Sequence, residues 1–208
     1  MQQDAKFWNR MAKGYAKSKI SDMPSYERKL EVTRGYFTPD MEVLEIGCGT
    51  GTTALRHAPH VKHIRATDIS QEMIAIAQAK ADAEGIRNVS FEVSAIDDLK
   101  VEDASLDMVM AHSILHLVPN RREVIKQVYR MLKPGGLFVT STVCLKDGMG
   151  WLKPILPLMR LVGYAPRVVA FITANQLEAD FTDAGFDVAY KWRPGPKKAI
   201  FMVLRKPE

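Results

Sequence analysis

Cysteine is scarce in this chain, and long apolar runs are missing. The two cysteines among 208 residues, Cys48 and Cys144, lie in apolar segments, which argues against a disulfide framework and favours a reducing compartment. No stretch of about 18 uncharged apolar residues occurs, and the chain is charged from Asp4 onward, so neither a membrane span nor a signal-peptide core is predicted. We therefore expect a cytoplasmic protein.

Charge of one sign does not dominate either. The sequence carries 29 lysines and arginines against 24 aspartates and glutamates, which gives a net charge of +5. Such an excess is compatible with an anionic partner, either a nucleic acid or a membrane surface, but does not require one. With 47% hydrophobic and 25% charged residues, the composition is that of one ordinary globular domain with room for an appended arm.

Three glycines at alternate positions mark the stretch around which the chain is organised. Residues 43–52 read Val-Leu-Glu-Ile-Gly-Cys-Gly-Thr-Gly-Thr, an apolar strand that runs into a loop and then into a helix-compatible segment. Because glycine lacks a Cβ, a ligand can lie directly against this backbone. A dinucleotide fingerprint needs G-x-G-x-x-G, which the loop does not provide. An ordinary strand-to-helix turn is the alternative interpretation.

Strands and helices alternate along the rest of the chain. Apolar runs and period-two patterns predict strands at 43–46, 64–67, 89–93, 106–111, 137–143, 186–192 and 199–204. Helical periodicity predicts helices at 6–17, 26–37, 52–57, 71–83, 121–132 and 173–184. This order predicts an α/β doubly wound sheet with an N-terminal helical arm over residues 1–40. A Pro-Gly-Pro turn makes the last two strands antiparallel neighbours.

The first predicted helix is basic and amphipathic. Apolar residues fall on one side and basic residues on the other: Phe7, Trp8, Met11, Ala12 and Tyr15 against Lys6, Arg10, Lys13 and Lys17. Such a helix either packs on the domain with a solvated basic face or docks at a membrane surface. The spacing alone does not separate these two interpretations.

The glycine loop resembles the first motif of class I S-adenosylmethionine-dependent methyltransferases. It presents Glu45, Gly47, Gly49 and Gly51 in the order of that motif. The resemblance implies that Gly47 and Gly49 lie under the methionine part of S-adenosyl-L-methionine. It also implies that Glu45 meets the amino group of the cofactor, directly or through water. Cys48 and Gly51 belong to the same expected binding loop.

The end of the second predicted strand carries the next candidate. In a doubly wound sheet Asp68 lies beside the glycine loop, where its carboxylate can accept hydrogen bonds from both ribose hydroxyls. An N-cap role for Asp68 is the alternative, but Ser70 serves that role better. Ile69 and Met73 are expected against one face of the adenine.

Residues 94–99, Ser-Ala-Ile-Asp-Asp-Leu, resemble the third motif of the family, which holds the adenine edge. Ala95 stands where the family often has an acid. We expect the backbone of Ile96, or the side chain of Asp97, to supply the contact instead. Solvated turn residues are the alternative for Asp97 and Asp98.

Residues 106–117 resemble the fourth motif and the turn that follows it, where side chains face the methyl group of the cofactor. His112 comes first after the strand and is the candidate for contact with cofactor or acceptor, and for a general base if the acceptor arrives protonated. His116 is expected to be packed or capping. No metal site is expected, because neither histidine has a cysteine or acid at ligand spacing.

Two further segments extend the resemblance. Leu-Lys-Pro-Gly-Gly before an apolar strand is typical of the family, and the matching motifs together span residues 43–143. Ala-Lys-Gly-Tyr, ending at Tyr15, resembles the segment that puts a tyrosine over the methionine end of the cofactor, although core packing would also explain this residue. The apolar segment 147–172 falls where the family inserts an element that covers the substrate. A satellite core is the alternative for that segment.

The resemblance implies a seven-stranded, mostly parallel sheet with an antiparallel C-terminal strand in residues 41–208. It implies a methyltransferase similar to the quinone-biosynthesis type, acting on a small, apolar or lipid-like acceptor with S-adenosyl-L-methionine. A peripheral-membrane phospholipid or quinone methyltransferase and a non-catalytic cofactor-binding module are the alternatives. The glycine spacing disfavours a nicotinamide oxidoreductase, and the missing Pro-Pro-Tyr-type motif disfavours a nucleic-acid methyltransferase.

Overall fold

One sheet of seven strands forms the centre of the structure. The computed structural model describes residues 2–208, apart from the side chains of Gln2 and Gln3, so Met1 of the predicted arm lies outside the described residues. The strands are β1 (Glu42–Ile46), β2 (His63–Asp68), β3 (Val89–Val93), β4 (Leu106–His112), β5 (Leu132–Thr142), β6 (Asp187–Trp192) and β7 (Ile200–Arg205). The described α-helices are α1 (Gln2–Lys17), α2 (Met23–Arg34), α3 (Thr52–His57), α4 (Gln71–Glu84), α5 (Arg121–Met131), α6 (Leu156–Leu161) and α7 (Ala174–Asp183).

The strand order is β3-β2-β1-β4-β5-β7-β6. Strands β1 to β5 pair in parallel, whereas β7 runs antiparallel to both β5 and β6. The chain order reverses between β1 and β4, and the carboxyl ends of those strands border the crevice in which open α/β sheets bind ligands. The predicted α/β doubly wound sheet, mostly parallel with an antiparallel C-terminal strand, is confirmed.

Helices cover both faces of the sheet. Alternate residues of a strand point to opposite faces, so Leu44 packs in a core that includes Val124 of α5 and Leu177 of α7. Its neighbour Val43 packs in a second core that includes Ala54 of α3. Burial on both faces explains why the central strands read as nearly continuous apolar runs.

The boundary between α5 and β5 differs from the prediction. The helix ends at Met131 and β5 begins directly at Leu132, which pairs with Leu106 before a register irregularity. Pro134 lacks the backbone N–H that a helix interior requires, and Gly135 adopts a left-handed φ of 74°, so the helix does not continue. The N–H of Gly135 then donates to the carbonyl of Lys206 across a distance of 2.9 Å. Leu-Lys-Pro-Gly-Gly is therefore the irregular start of a strand and not a loop before it.

The N-terminal helices pack on the domain. Ala12 of α1 has no exposed surface, and the hydroxyl of Ser70 at the start of α4 donates to Asn9 Oδ1 at 2.6 Å. Helix α2 begins earlier than predicted because the Asp22 carboxylate caps it, accepting from the backbone N–H of Ser25 at 3.2 Å. The first helix thus buries one side on the domain, as one of its two interpretations requires. The division into an arm and a domain stays a prediction.

The segment 147–172 contains α6 and leaves large apolar side chains exposed. Trp151 is 64% exposed, Leu161 83% and Tyr164 77%. Arg10 of α1 donates to the carbonyl of Gly163, which ties this segment to the first helix. Over the described residues, every helix is too short or too polar to cross a bilayer.

Candidate functional site

The loop between β1 and α3 has a backbone that only glycine tolerates. Gly51 has φ of 74°, and a Cβ there would lie 2.7 Å from the Cβ of Ala77. At Gly47, with φ of 68°, a Cβ would lie 2.9 Å from the side chain of Ile114. Gly49, in contrast, turns its open side toward Tyr15. The loop is therefore packed from below and open to a ligand at its centre.

Asp68 fixes this loop from the end of β2. One carboxylate oxygen accepts from the backbone N–H of Gly49 and the other from that of Ser70, each at 2.9 Å. Ser70 is the N-cap of α4, since its hydroxyl accepts from the backbone N–H of Met73. Burial raises the pKa of Asp68. The N–H of Ile69 also contributes, lowering that pKa, and because a carboxylate has about four acceptor sites, Asp68 can still accept from a ligand.

Glu45 is a buried acid with an unused oxygen. It lies within the buried run of β1, is 2% exposed, and its Oε2 atom has no hydrogen-bond partner among the described residues. Burial, and then the charge of Asp68, raise the pKa of Glu45 to about 8, against a lowering contribution from the N–H of Ala54. A buried polar atom without a partner is costly. A cationic ligand group beside Glu45 would remove that cost.

Tyr15 reaches this loop from α1. Its ring lies 3.7 Å from the position that a Gly49 Cβ would take, and the residue is 53% exposed. Partial burial, followed by the charges of Asp68 and Glu45, raises the pKa of Tyr15. The arm therefore brings an aromatic ring to the glycine loop, where the sequence predicts it.

A cavity of about 500 Å³ opens beside the loop. Six of the predicted site residues line it: Tyr15, Glu45, Gly47, Cys48, Gly49 and His112. The thiol of Cys48 is buried, which raises its pKa, so it stays protonated. The rest of the wall comes from the segment that links α1 to α2, from α2 and α3, from Lys80 of α4, from Ser113 and Ser141 after and within the central strands, and from the turn between β6 and β7. No residue of 147–172, all of them described, lines this cavity.

The other predicted cofactor residues lie outside the cavity wall. Besides Gly51 and Asp68, these are Ile69, Met73, Ala95 and Ile96. Met73 is 2% exposed and Ile96 7%, and the carbonyl of Ile96 accepts from Gln127 Nε2 at 3.1 Å. Asp97 accepts from the Asn120 side chain at 3.0 Å. The structure thus places the predicted adenine residues beyond the loop, after the ends of β2 and β3 and in the first turn of α4.

The far end of the cavity is polar. His112 ends β4 beside Ser141 of β5, and the hydroxyl of Ser141 accepts from the ammonium of Lys29 at 2.9 Å. The Nε2 atom of His112 is buried without a described partner. Burial, and then the charge of Lys29, lower the pKa of His112 to about 4. The imidazole is therefore neutral near neutral pH.

Sequence reasoning missed three members of this polar end, Lys29, Ser141 and His57. His57 is fully buried, has no described partner for either ring nitrogen, and packs edge-on against Phe37 with the ring centroids 5.0 Å apart. Burial, and then His112, lower the pKa of His57 to about 3. A histidine in the helix after the glycine loop was the available signal. His116 is also unpartnered at Nδ1, but it does not line the cavity.

A family model described as "Methyltransferase domain" matches residues 37–184. The chain belongs to the class I S-adenosylmethionine-dependent methyltransferases. The 27-O-demethylrifamycin SV methyltransferase of Amycolatopsis mediterranei is 33% identical over 168 residues, covering 76% of this chain and 60% of that protein. The ubiquinone biosynthesis O-methyltransferase of Idiomarina loihiensis is 28% identical over 127 residues, covering 61% of this chain and 51% of that protein.

Solved structures agree on the fold. The YcgJ protein of Bacillus subtilis matches this methyltransferase with a TM-score of 0.73 at 19% identity, covering 88% of this chain and 99% of that one. The chain spans only 60% and 51% of the two curated relatives above, and their names specify different molecules. The family is therefore established, while the acceptor does not carry over from these relatives.

The cofactor of this methyltransferase is S-adenosyl-L-methionine. Two observations on its own residues fit that molecule. The free Oε2 atom of buried Glu45 suits an ammonium group, and Asp68 keeps acceptor capacity beside the open side of Gly49.

Proposed function

We propose that this chain transfers a methyl group from S-adenosyl-L-methionine to a small-molecule acceptor in the described cavity. The observation that carries the proposal is Glu45, a buried acid with a free oxygen that lines the same cavity as His112. One cavity thus joins a subsite for a cationic amino acid to a separate polar end. Two ligands that meet in one enclosed space are what a transfer reaction needs.

In this proposal the cofactor subsite is formed from three parts of the chain. Glu45 binds the amino group, while the loop with Gly47, Cys48, Gly49 and Gly51 supports the methionine part. Asp68 binds the ribose, and Ile69, Met73, Ala95 and Ile96 bound the adenine. Tyr15 covers the methionine end from α1. Its ring position over Gly49 supports that role.

When bound, S-adenosyl-L-methionine supplies a methyl group already activated by a positively charged sulfur. The protein's task is then to align the acceptor and exclude water. We assign His112 to contact with the acceptor. With a pKa of about 4, its neutral imidazole can accept a hydrogen bond but holds a proton weakly. An acceptor that is already ionised when it binds has no proton for such a base to remove.

A membrane-associated form of this reaction is the second candidate, and one observation favours it. Trp151, Leu158, Leu161 and Tyr164 expose apolar side chains on the segment that Arg10 ties to the basic helix α1. Such a surface suits a lipid-like acceptor drawn from a bilayer, with each nearby lysine or arginine adding about 1 kcal/mol at anionic headgroups. The name of one relative, a ubiquinone biosynthesis enzyme, is compatible with an apolar acceptor.

The proposal is tested with methyl-labelled cofactor and a small-molecule extract. Wild-type protein should move the label into an extract component, and Glu45→Gln should do so only at much higher cofactor concentration. Glu42→Gln is the matched control, because Glu42 lies at the other end of β1 and pairs with Lys62 at 2.8 Å. Cofactor binding without label transfer to any fraction would indicate a non-catalytic binding module and refute the proposal.

A further inference from the structure

Lys29 differs from Lys80 and Lys198, two further lysines of the cavity wall, in what holds it. The ammonium of Lys80 donates to three oxygens of Thr50 and Thr52, at 3.0, 3.0 and 3.2 Å, and that of Lys198 pairs with Asp22 at 2.8 Å. Lys29 Nζ has one described bond, to Ser141 Oγ at 2.9 Å. Across residues 2–208 no carboxylate pairs with it. Two of its three N–H donors are therefore free to bind a ligand.

The surroundings of Lys29 compensate its charge only in part, through the charge of Asp22. Burial lowers the pKa of Lys29, which means that its charged form is poorly solvated. Two acids line the cavity, but Asp22 is taken by Lys198, and Glu45, with a pKa of about 8, is mostly protonated at neutral pH. The polar end of the cavity is consequently cationic when no ligand is present.

Neighbouring groups complete a site for an anion. Ser141 accepts from Lys29, so its own hydroxyl hydrogen is free to donate, and the residue is 3% exposed. His112 adds a neutral imidazole with a buried, unpartnered Nε2 that can donate in one tautomer. An ionised carboxylate or phosphate would meet a positive charge and further donors together, which makes charge-assisted hydrogen bonds.

We propose that Lys29, with Ser141 and His112, selects a methyl acceptor that carries an oxyanion, a carboxylate or a phosphate. The inference rests on the proposed methyl transfer and names its substrate class. It changes the predicted class of acceptor from simply apolar to one with an acidic group, and this acidic end is the part that enters the cavity. Any apolar remainder of the acceptor lies outside this polar end.

The first test needs no variant. A small-molecule extract is separated at neutral pH on an anion exchanger, and each fraction is offered to wild-type protein with methyl-labelled cofactor. Label should appear in the retained, anionic fraction, and prior phosphatase treatment distinguishes a phosphate from a carboxylate. Labelling only in the neutral or cationic fraction would overturn the oxyanion while leaving methyl transfer intact. Labelling in no fraction would refute the proposed function instead.

The second test removes the charge. Lys29→Met should raise the apparent KM for the anionic acceptor by about 10- to 100-fold, the usual loss of a charge-assisted bond. Cofactor affinity should stay unchanged, and Lys29→Arg should recover most of the loss. Lys126→Met removes an exposed lysine of α5 and is the control for net charge. An unchanged KM in Lys29→Met contradicts the inference.

A binding measurement keeps the inference falsifiable without turnover. Cofactor-loaded wild-type protein should bind benzoate more tightly than benzamide, and Lys29→Met should abolish that preference, as followed by NMR titration. The pair differs in charge but little in shape. Equal affinity for both probes, or affinity for neither, would overturn the assignment of Lys29.

Discussion

Replacing Glu45 with glutamine removes a buried acid while keeping the shape of the side chain. Burial and Asp68 raise the Glu45 pKa from 4.5 to about 8. Between these two pKa values the unfolded chain has released a proton that the native protein still holds, so the stability of the unliganded wild type falls as the pH rises. Glutamine cannot ionise and can still accept from the N–H of Ala54. The variant should lose this pH dependence.

The size of the effect follows from the shift. One pKa unit corresponds to about 1.4 kcal/mol, so a shift from 4.5 to about 8 removes on the order of 5 kcal/mol from the free energy of unfolding once Glu45 is ionised. Glu45→Gln should therefore be more stable than wild type above about pH 8 and closer to it near pH 5. The same variant should bind the cofactor about 10- to 100-fold more weakly, because the ammonium group of the cofactor favours ionised Glu45 on binding and glutamine cannot ionise.

Urea unfolding of the unliganded protein across this pH range is the assay, with cofactor titration at neutral pH beside it. Glu42→Gln, on the same strand and partly exposed to solvent, should keep the wild-type slope. A Glu45→Gln variant that unfolds with the pH dependence of wild type would refute the raised pKa. One that binds the cofactor as wild type does would refute its role in the site.

Three further predictions concern the loop and the buried histidine. Gly51→Ala should lower the free energy of unfolding in urea by several kcal/mol, because the new Cβ would lie 2.7 Å from the Cβ of Ala77. Gly85→Ala is the control, since Gly85 has a similar φ of 68° but no atom within 4 Å, and it should lower that free energy by only about 1 kcal/mol. Equal losses would contradict the steric argument. Asp68→Asn should weaken cofactor binding about tenfold or more while Asp98→Asn, in an exposed turn, does not, since an amide nitrogen cannot accept from Gly49. Burial lowers the pKa of His57 from 6.5 to about 3, so the unfolded state binds a proton that the fold does not, and stability should fall as pH drops below 6.5. His57→Gln should lose this fall in the free energy of unfolding at acidic pH, whereas His60→Gln should keep it. If the two variants show the same fall, groups other than His57 cause it.

The fold could be predicted from the sequence because its signals are local. Apolar runs, the glycine loop and the Pro-Gly-Pro turn each act within a few residues and predict the order of strands and helices, while the resemblance to the methyltransferase family implied the seven-stranded sheet. The start of β5 was misplaced because pairing of Leu132 with Leu106 is a long-range event that overrides the helix-stop signal of Pro134 and the glycines that follow it.

The polar end of the cavity could not be predicted in the same way. Lys29 reads as a solvated helix charge, and only packing brings it to Ser141, a residue 112 positions away in sequence. His57 reads as a surface residue of a short helix until Phe37 covers it. The segment 147–172 was expected to cover the substrate because it falls where the family inserts such an element, but a position in the sequence does not specify where a loop lies in space. Its role as a lid stays a prediction.

The most direct test of the proposed site is a crystal structure with S-adenosylhomocysteine, the product of the transfer. Its amino group should lie within hydrogen-bonding distance of Glu45 and its ribose hydroxyls against Asp68. Its sulfur should face the cavity end that holds Lys29, Ser141 and His112. A product molecule bound elsewhere, or with its sulfur turned away from that end, would contradict the proposed transfer of a methyl group within this cavity.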